Sequence, residues 1–123
     1  MRYDDGCRID FLLRAPDRPD CYVEVKNVHL KRSREAEFPD AVTVRGTRHL
    51  RALARRVAAG ERAVLVYIVQ RMDCASFGLA ADIDPIYASA FREAIGAGVE
   101  AVCRACRVTR DGIRLGAALP IDV

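Results

Sequence analysis

The stretch Ala63-Val64-Leu65-Val66-Tyr67-Ile68-Val69 constrains the fold more than any other part of the chain. It is too short for a buried helix and rich in β-branched residues. It therefore predicts a central strand, covered on both faces, running from Arg62 to Gln70. What surrounds it must supply that cover. Upstream, a helix is expected to begin near Pro39-Asp40, run to about Ala59 and close at Gly60. Gly46, Leu50, Leu53, Ala54 and Val57 form its apolar stripe, with Arg48, Arg51 and Arg55 opposite and Arg45 and Arg56 flanking. Downstream, Asp84-Pro85 reads as a cap and first-turn proline for a second helix ending around Gly96 or Gly98. Val99 to Val108 is another strand, and Gly112 to Leu115 a short last one.

The N-terminal part adds two strands. In Arg8 to Leu13, Ile9, Phe11 and Leu13 share one face and Arg8, Asp10 and Leu12 the other; Arg14 to Asp20, with two prolines, connects. In Cys21 to Val28, Val23 and Val25 share a face, and Tyr22, Glu24 and Lys26 take the opposite one. The order strand, strand, helix, strand, helix, strand predicts an antiparallel first pair and right-handed parallel crossovers. The fold class is α/β: a mixed sheet flanked by helices, in one domain of 123 residues.

Composition narrows the function. No apolar run reaches the ~20 residues of a membrane span, and Met1 to Gly6 lacks the apolar segment of a signal peptide, so a cytoplasmic protein is expected. Five cysteines suit a reducing compartment, and Cys103 and Cys106 are expected to be buried thiols, not a metal or redox pair. A net charge of +3 does not by itself announce nucleic acid. Of the 20 basic residues, however, only Lys26 and Lys31 are lysines, and one of them lies two positions after a glutamate.

That places Asp10 and Glu24-Val25-Lys26 at the centre of the functional reading. If the first two strands pair, both carboxylates can serve one hard cation such as Mg²⁺, which favours oxygen ligands and keeps several waters. Lys26, on the face of Glu24, can then orient a nucleophilic water or stabilise phosphorane charge. The plain alternative is a pair of solvated carboxylates on an open sheet face. Asp10 argues against it, because it interrupts a strand otherwise rich in Ile, Phe and Leu.

A family resemblance joins these features. Gly6 to Leu13, Cys21 to Val28, Phe38-Pro39-Asp40-Ala41-Val42-Thr43 with Arg45-Gly46, His49-Leu50, Ile83-Asp84-Pro85 with Tyr87, Gly98-Val99-Glu100 and Gly112 to Leu115 resemble the C-terminal region of the sugar fermentation stimulation protein family (SfsA). The resemblance implies a restriction-endonuclease-like fold of the PD-(D/E)xK type, with Asp10 and Glu24 as metal ligands and Asp10, Glu24 and Lys26 as catalytic residues. It implies Mg²⁺ or Mn²⁺ as cofactor, double-stranded DNA bound with weak sequence preference, and a regulatory link to sugar (maltose) metabolism. Two departures are expected: the family's N-terminal OB-fold-like domain is absent, and so are the helix and strand that usually open the nuclease core. A homodimer or a separately encoded N-terminal part would then complete the sheet.

Further residues divide between structural and functional roles. Asp40 is expected to cap the first helix and, with Gln70, is an additional site candidate. His49 reads as a boundary residue between the buried stripe and the arginine face, and Asp84 as a cap. Arg45, Arg48, Arg51 and Arg55 are candidates for gripping DNA phosphates, against a plain solvated face. The functional reading is a metal-dependent nuclease-like site on a DNA-binding protein. The alternatives are a non-catalytic DNA-binding regulator, or a fragment that needs a partner chain.

Overall fold

In the computed structural model, which describes the backbone of residues 2–4 and 7–123 and the side chains from residue 9 onward, the expected strands assemble into one five-stranded sheet. Its members are β3 (Phe11–Ala15), β4 (Arg18–Val28), β7 (Arg62–Val69), β9 (Glu100–Thr109) and β10 (Gly112–Ala118), in the order β10-β9-β7-β4-β3. The outer pairs are antiparallel and the β4–β7 and β7–β9 pairs parallel. Each parallel step contains a helix, α1 (Val44–Ala58) or α2 (Pro85–Gly96). An antiparallel ribbon, β1 (Arg2–Asp4) with β2 (Cys7–Arg8), precedes the sheet.

The core lies on one face of this sheet. Alternation along β7 buries Ala63, Leu65, Tyr67 and Val69 and leaves Val64, Val66 and Ile68 partly open. Tyr22, Glu24, Lys26 and Val28 pair in register with the buried set, so the face carrying Glu24 is the face the helices cover. Leu50 and Leu53 of α1 and Tyr87 and Phe91 of α2 pack there with Tyr67. The expectation that β7 is covered on both faces is therefore wrong. A seven-residue apolar run cannot reveal that, among the described residues, its second face is only half-buried. On that second face Phe11, Val23 and Val64 lie side by side, as do Val25, Val66 and Val102, with Phe11 58% and Val102 45% exposed.

Two local expectations also change. The chain bends at Asp10, between β2 and β3, which resets the side-chain phase. Ile9 is buried, but Phe11 and Leu13 are exposed, and Leu12 packs on the core in register with Tyr22. The charged stretch after Val28, for which the sequence suggested no element, pairs as well. β5 (Leu30–Arg32), β6 (Glu35–Phe38) and β8 (Ser76–Leu79) form a second sheet, in which Arg32 makes ion pairs with Glu37 and Asp82. Ala36 and Phe77 bring this sheet into the common core, and Phe77 stacks on Tyr67 at 4.5 Å. Because β6 runs to Phe38, the helix starts later than expected: Thr43, not Asp40, is its cap, accepting from Gly46 N at 3.0 Å.

Among the described cysteines, Cys21, Cys103 and Cys106 are buried and Cys74 is half-buried, all as free thiols; the side chain of Cys7 lies outside the described residues. Burial pushes the Cys103 thiol up to about 11, so it stays protonated near neutrality.

Candidate functional site

Local rules place Glu24 and Lys26 together. Two residues apart on β4, they share a face, and Lys26 Nζ stands 3.5 Å from Glu24 Oε1. Both are largely withdrawn from water, with side chains 5% and 14% exposed. Burial raises the Glu24 carboxyl above its ordinary range and the Asp10 charge adds to that, while Lys26 and Arg45 pull it back.

Asp10 arrives by a different route. Its bend ends the β3 ladder, and its Oδ2 instead accepts from the main-chain N–H of Val25 at 2.7 Å, the residue between Glu24 and Lys26. The carboxylate thus takes the place of a strand neighbour. Its charge is felt at both Glu24 and His49.

α1 contributes a residue that the sequence reading placed at a boundary. His49 is 5% exposed, and its Nδ1 lies 3.0 Å from Glu24 Oε1 and 3.2 Å from Lys26 Nζ. Burial, then the Lys26 and Arg45 charges, push its pKa down to about 4, so the ring is neutral at pH 7. Its position one residue before the buried Leu50 was a signal for burial, but not for contact with β4. Beside this group the Tyr67 and Tyr87 hydroxyls meet at 2.5 Å, and burial raises both phenols.

Glu24 Oε2 is the unusual atom. It is buried and has no hydrogen-bond partner. An orphaned carboxylate oxygen inside a protein is costly unless a cation or water answers it.

The other candidates separate. Gln70 donates to Asn27 at 3.3 Å, and Asn27 faces away from Glu24 and Lys26, so Gln70 is not brought to the site. Asp40 is exposed in the bend ahead of Thr43, and none of the contacts of Asp10, Glu24 or Lys26 described above involves it. Asp84 is a cap, accepting from Tyr87 N at 3.0 Å, and it also accepts from Thr43 N at 2.8 Å. Arg45, Arg48, Arg51 and Arg55 are all exposed on α1. Arg48, Arg51 and Arg55 line a groove of about 450 Å³ with Val42, Val44 and Ile86.

Residues 1–112 match the model of the Sugar fermentation stimulation protein RE domain. The chain belongs to the sugar fermentation stimulation protein family. It is 62% identical over all 123 residues to the sugar fermentation stimulation protein homolog of Paramagnetospirillum magneticum, and 56% identical over 99% of its length to that of Rhodospirillum centenum. It spans 52% and 53% of those relatives, about half their length. The solved structure of Pyrococcus furiosus SfsA in complex with Ca²⁺ superposes with a TM-score of 0.92 at 28% identity, over all of this chain and 53% of that one. The mixed sheet with its two helices is thus an SfsA fold. Among the described residues, no helix is long and apolar enough to cross a membrane.

Proposed function

We propose that this SfsA-family chain binds double-stranded DNA and hydrolyses its phosphodiester backbone with a divalent cation, Mg²⁺ or Mn²⁺, held by Asp10 and Glu24. The observation that carries the reading is the buried, unpartnered Oε2 of Glu24, placed next to an amine and within the field of Asp10. The donors fit a hard cation: both are carboxylates, and Mg²⁺ characteristically takes one or two of these and fills the rest of its shell with water and phosphate oxygens. Among the described residues no three His, Cys, Asp or Glu side chains converge on one point, so water and phosphate oxygens would have to complete the shell. The Ca²⁺ in the Pyrococcus furiosus relative supports a site for hard divalent ions.

When bound, the cation would lower the pKa of a water and screen the attacked phosphate. The protein's own groups do the rest. Lys26 would turn its ammonium toward the developing negative charge, Glu24 holds that amine at 3.5 Å, and Asp10 fixes the Val25 backbone between them. A cytoplasmic setting and a link to sugar use accompany this reading as part of the family resemblance. The test is cleavage of linear and supercoiled DNA with Mg²⁺, Mn²⁺ and EDTA; inert protein under every metal, at catalytic and stoichiometric ratios, would sink it.

DNA engagement is assigned to Arg45, Arg48, Arg51 and Arg55, whose planar forks suit phosphate oxygens. Reversing Arg48 and Arg51 to Glu should weaken binding at least tenfold and flatten the log–log salt slope by about 0.9 per lost phosphate contact. Affinity measured from low to moderate salt by anisotropy checks this, and an unchanged slope would remove the arginine face from the interface.

A second reading concerns assembly. The open β-face with Phe11, Leu13 and Val102 is apolar over several strands, a surface that ordinarily marks an interaction site. Its occupant is taken to be the half of the family's length that this stretch does not span. Co-expressed with that half of the Paramagnetospirillum magneticum relative, the chain should co-elute as a 1:1 complex, and Phe11→Ser with Leu13→Ser should separate the two. A complex indifferent to both substitutions would rule out this face.

A further inference from the structure

The β9–β10 hairpin carries a charge conflict that the fold leaves open. Residues 104–115 hold Arg104, Arg107, Arg110 and Arg114 against Asp111, a formal +3 in twelve residues. Arg107 and Arg114 stand directly opposite each other on the ladder. Directly opposed residues have Cα atoms about 4.5–5.5 Å apart, and like charges there repel. Elsewhere, exposed strand arginines are answered by carboxylates: Arg62 by Glu100, and Arg32 by Glu37 and Asp82. Among the described residues, Arg107 and Arg114 have no such ion pair. With Thr109 and Asp111 they line a depression of about 440 Å³, and Asp111 pairs with neither. Arg104 is differently placed, donating from two nitrogens to the carbonyl of Gly116.

The hairpin also reaches outward. β7 is last in register with β9 at Val69 and Ala105, so residues 106–115 carry a two-stranded ladder beyond β7. Lys26 lies level with Tyr67 and Cys103. At about 3.3 Å per residue and 4.8 Å per strand, Arg107 is on the order of 16 Å from Lys26. One strand of a duplex covers about that length in roughly five nucleotides, at about 3.4 Å each along the axis. We propose that Arg107 and Arg114 together clasp one backbone phosphate of the duplex presented to Lys26, a second grip separate from the α1 arginines; this rests on the DNA reading above. Two guanidinium forks on the same phosphate oxygens turn mutual repulsion into a shared ion pair.

Binding of a fluorescent duplex in EDTA, from low to moderate salt, tests this apart from cleavage. Arg107→Gln with Arg114→Gln should flatten the log–log salt slope by about 0.9, one phosphate contact, and weaken low-salt affinity at least about threefold. Arg107→Lys with Arg114→Lys keeps both charges and should keep the wild-type slope. Adding the glutamine pair to the Arg48 and Arg51 reversals should lower the slope by the same further increment, since separate sites add. Circular dichroism reports whether each variant keeps its fold, and nuclear magnetic resonance of the wild type reads the contact without any variant. There the Nε–H resonances of Arg107 and Arg114 should move on addition of duplex and stay in place with inorganic phosphate at equal ionic strength. A glutamine pair with wild-type slope and affinity, or resonances that answer free phosphate and ignore duplex, would overturn the clasp and leave the α1 interface standing. A wild-type chain that binds no duplex would overturn the DNA reading itself, and the clasp with it.

Discussion

Lys26→Ala should lower cation-dependent DNA cleavage by about a hundred- to a thousandfold, the usual loss when one preorganised donor to a developing anion is removed. The ammonium lies in a largely dry pocket, 14% exposed, held by the Glu24 carboxylate and adjacent to His49. Its charge there is weakly screened, and no other amine on the chain is positioned by the same strand. Lys26→Arg should not restore the rate. The pocket holds a compact point charge between Glu24 and His49, whereas a guanidinium is planar, wider and differently hydrated. DNA affinity should change little in either variant, because the arginines assigned to phosphate lie on the exposed side of α1. Single-turnover cleavage with saturating protein separates the chemical step from binding. A Lys26→Ala protein that cuts at the wild-type rate would refute the catalytic assignment.

The largest effect on stability is expected at Asp84, the cap of α2. Its carboxylate is 3% exposed and accepts from two main-chain donors, Tyr87 N in the first turn of α2 and Thr43 N at the entrance to α1. It therefore ties the starts of both helices to each other. Hydrogen bonds to a charged group contribute about 1.5–3 kcal/mol each, so Asp84→Ala should cost at least about 3 kcal/mol. For a chain of this size that lowers the melting temperature by roughly 10 °C. Asp84→Asn, which keeps one oxygen acceptor, should lose about half as much. Equilibrium urea unfolding measures both. A loss below about 1 kcal/mol for the alanine variant would mean that Asp84 acts as an ordinary exposed cap.

Asp84 and Lys26 both touch α1 or its cap, one through Thr43 and the other through His49. Thr43 opens the helix that carries Arg45 to the edge of the site and His49 into it. The amphipathic pattern of α1 was legible because burial recurs every three to four residues, and the structure buries Gly46, Leu50 and Leu53 as that pattern requires. The start of the helix was not legible. Asp40 has the right chemistry for a cap, but pairing of β6 through Phe38 delays the helix until Thr43. The small sheet itself was hidden for a related reason. Its strands contain Lys31, Arg32, Glu35 and Glu37, and their charges are tolerated because partners such as Asp73 and Asp82 come from distant parts of the chain. A stretch so charged carries no apolar alternation that would mark it as strand.

Sequence alone determined what depends on local period and cap chemistry. Glu24 and Lys26 share a face because strands repeat every two residues, and α2 begins at Pro85 because Asp84 caps it. It also ordered the strands and helices that form the main sheet. Tertiary structure decided which groups meet across long stretches of chain. It put Asp10 on the Val25 amide, turned His49 onto Glu24, sent Gln70 to Asn27, and left one face of the sheet open. Those outcomes depend on strand register and helix docking, where a shift of a single residue would turn each side chain to the opposite face.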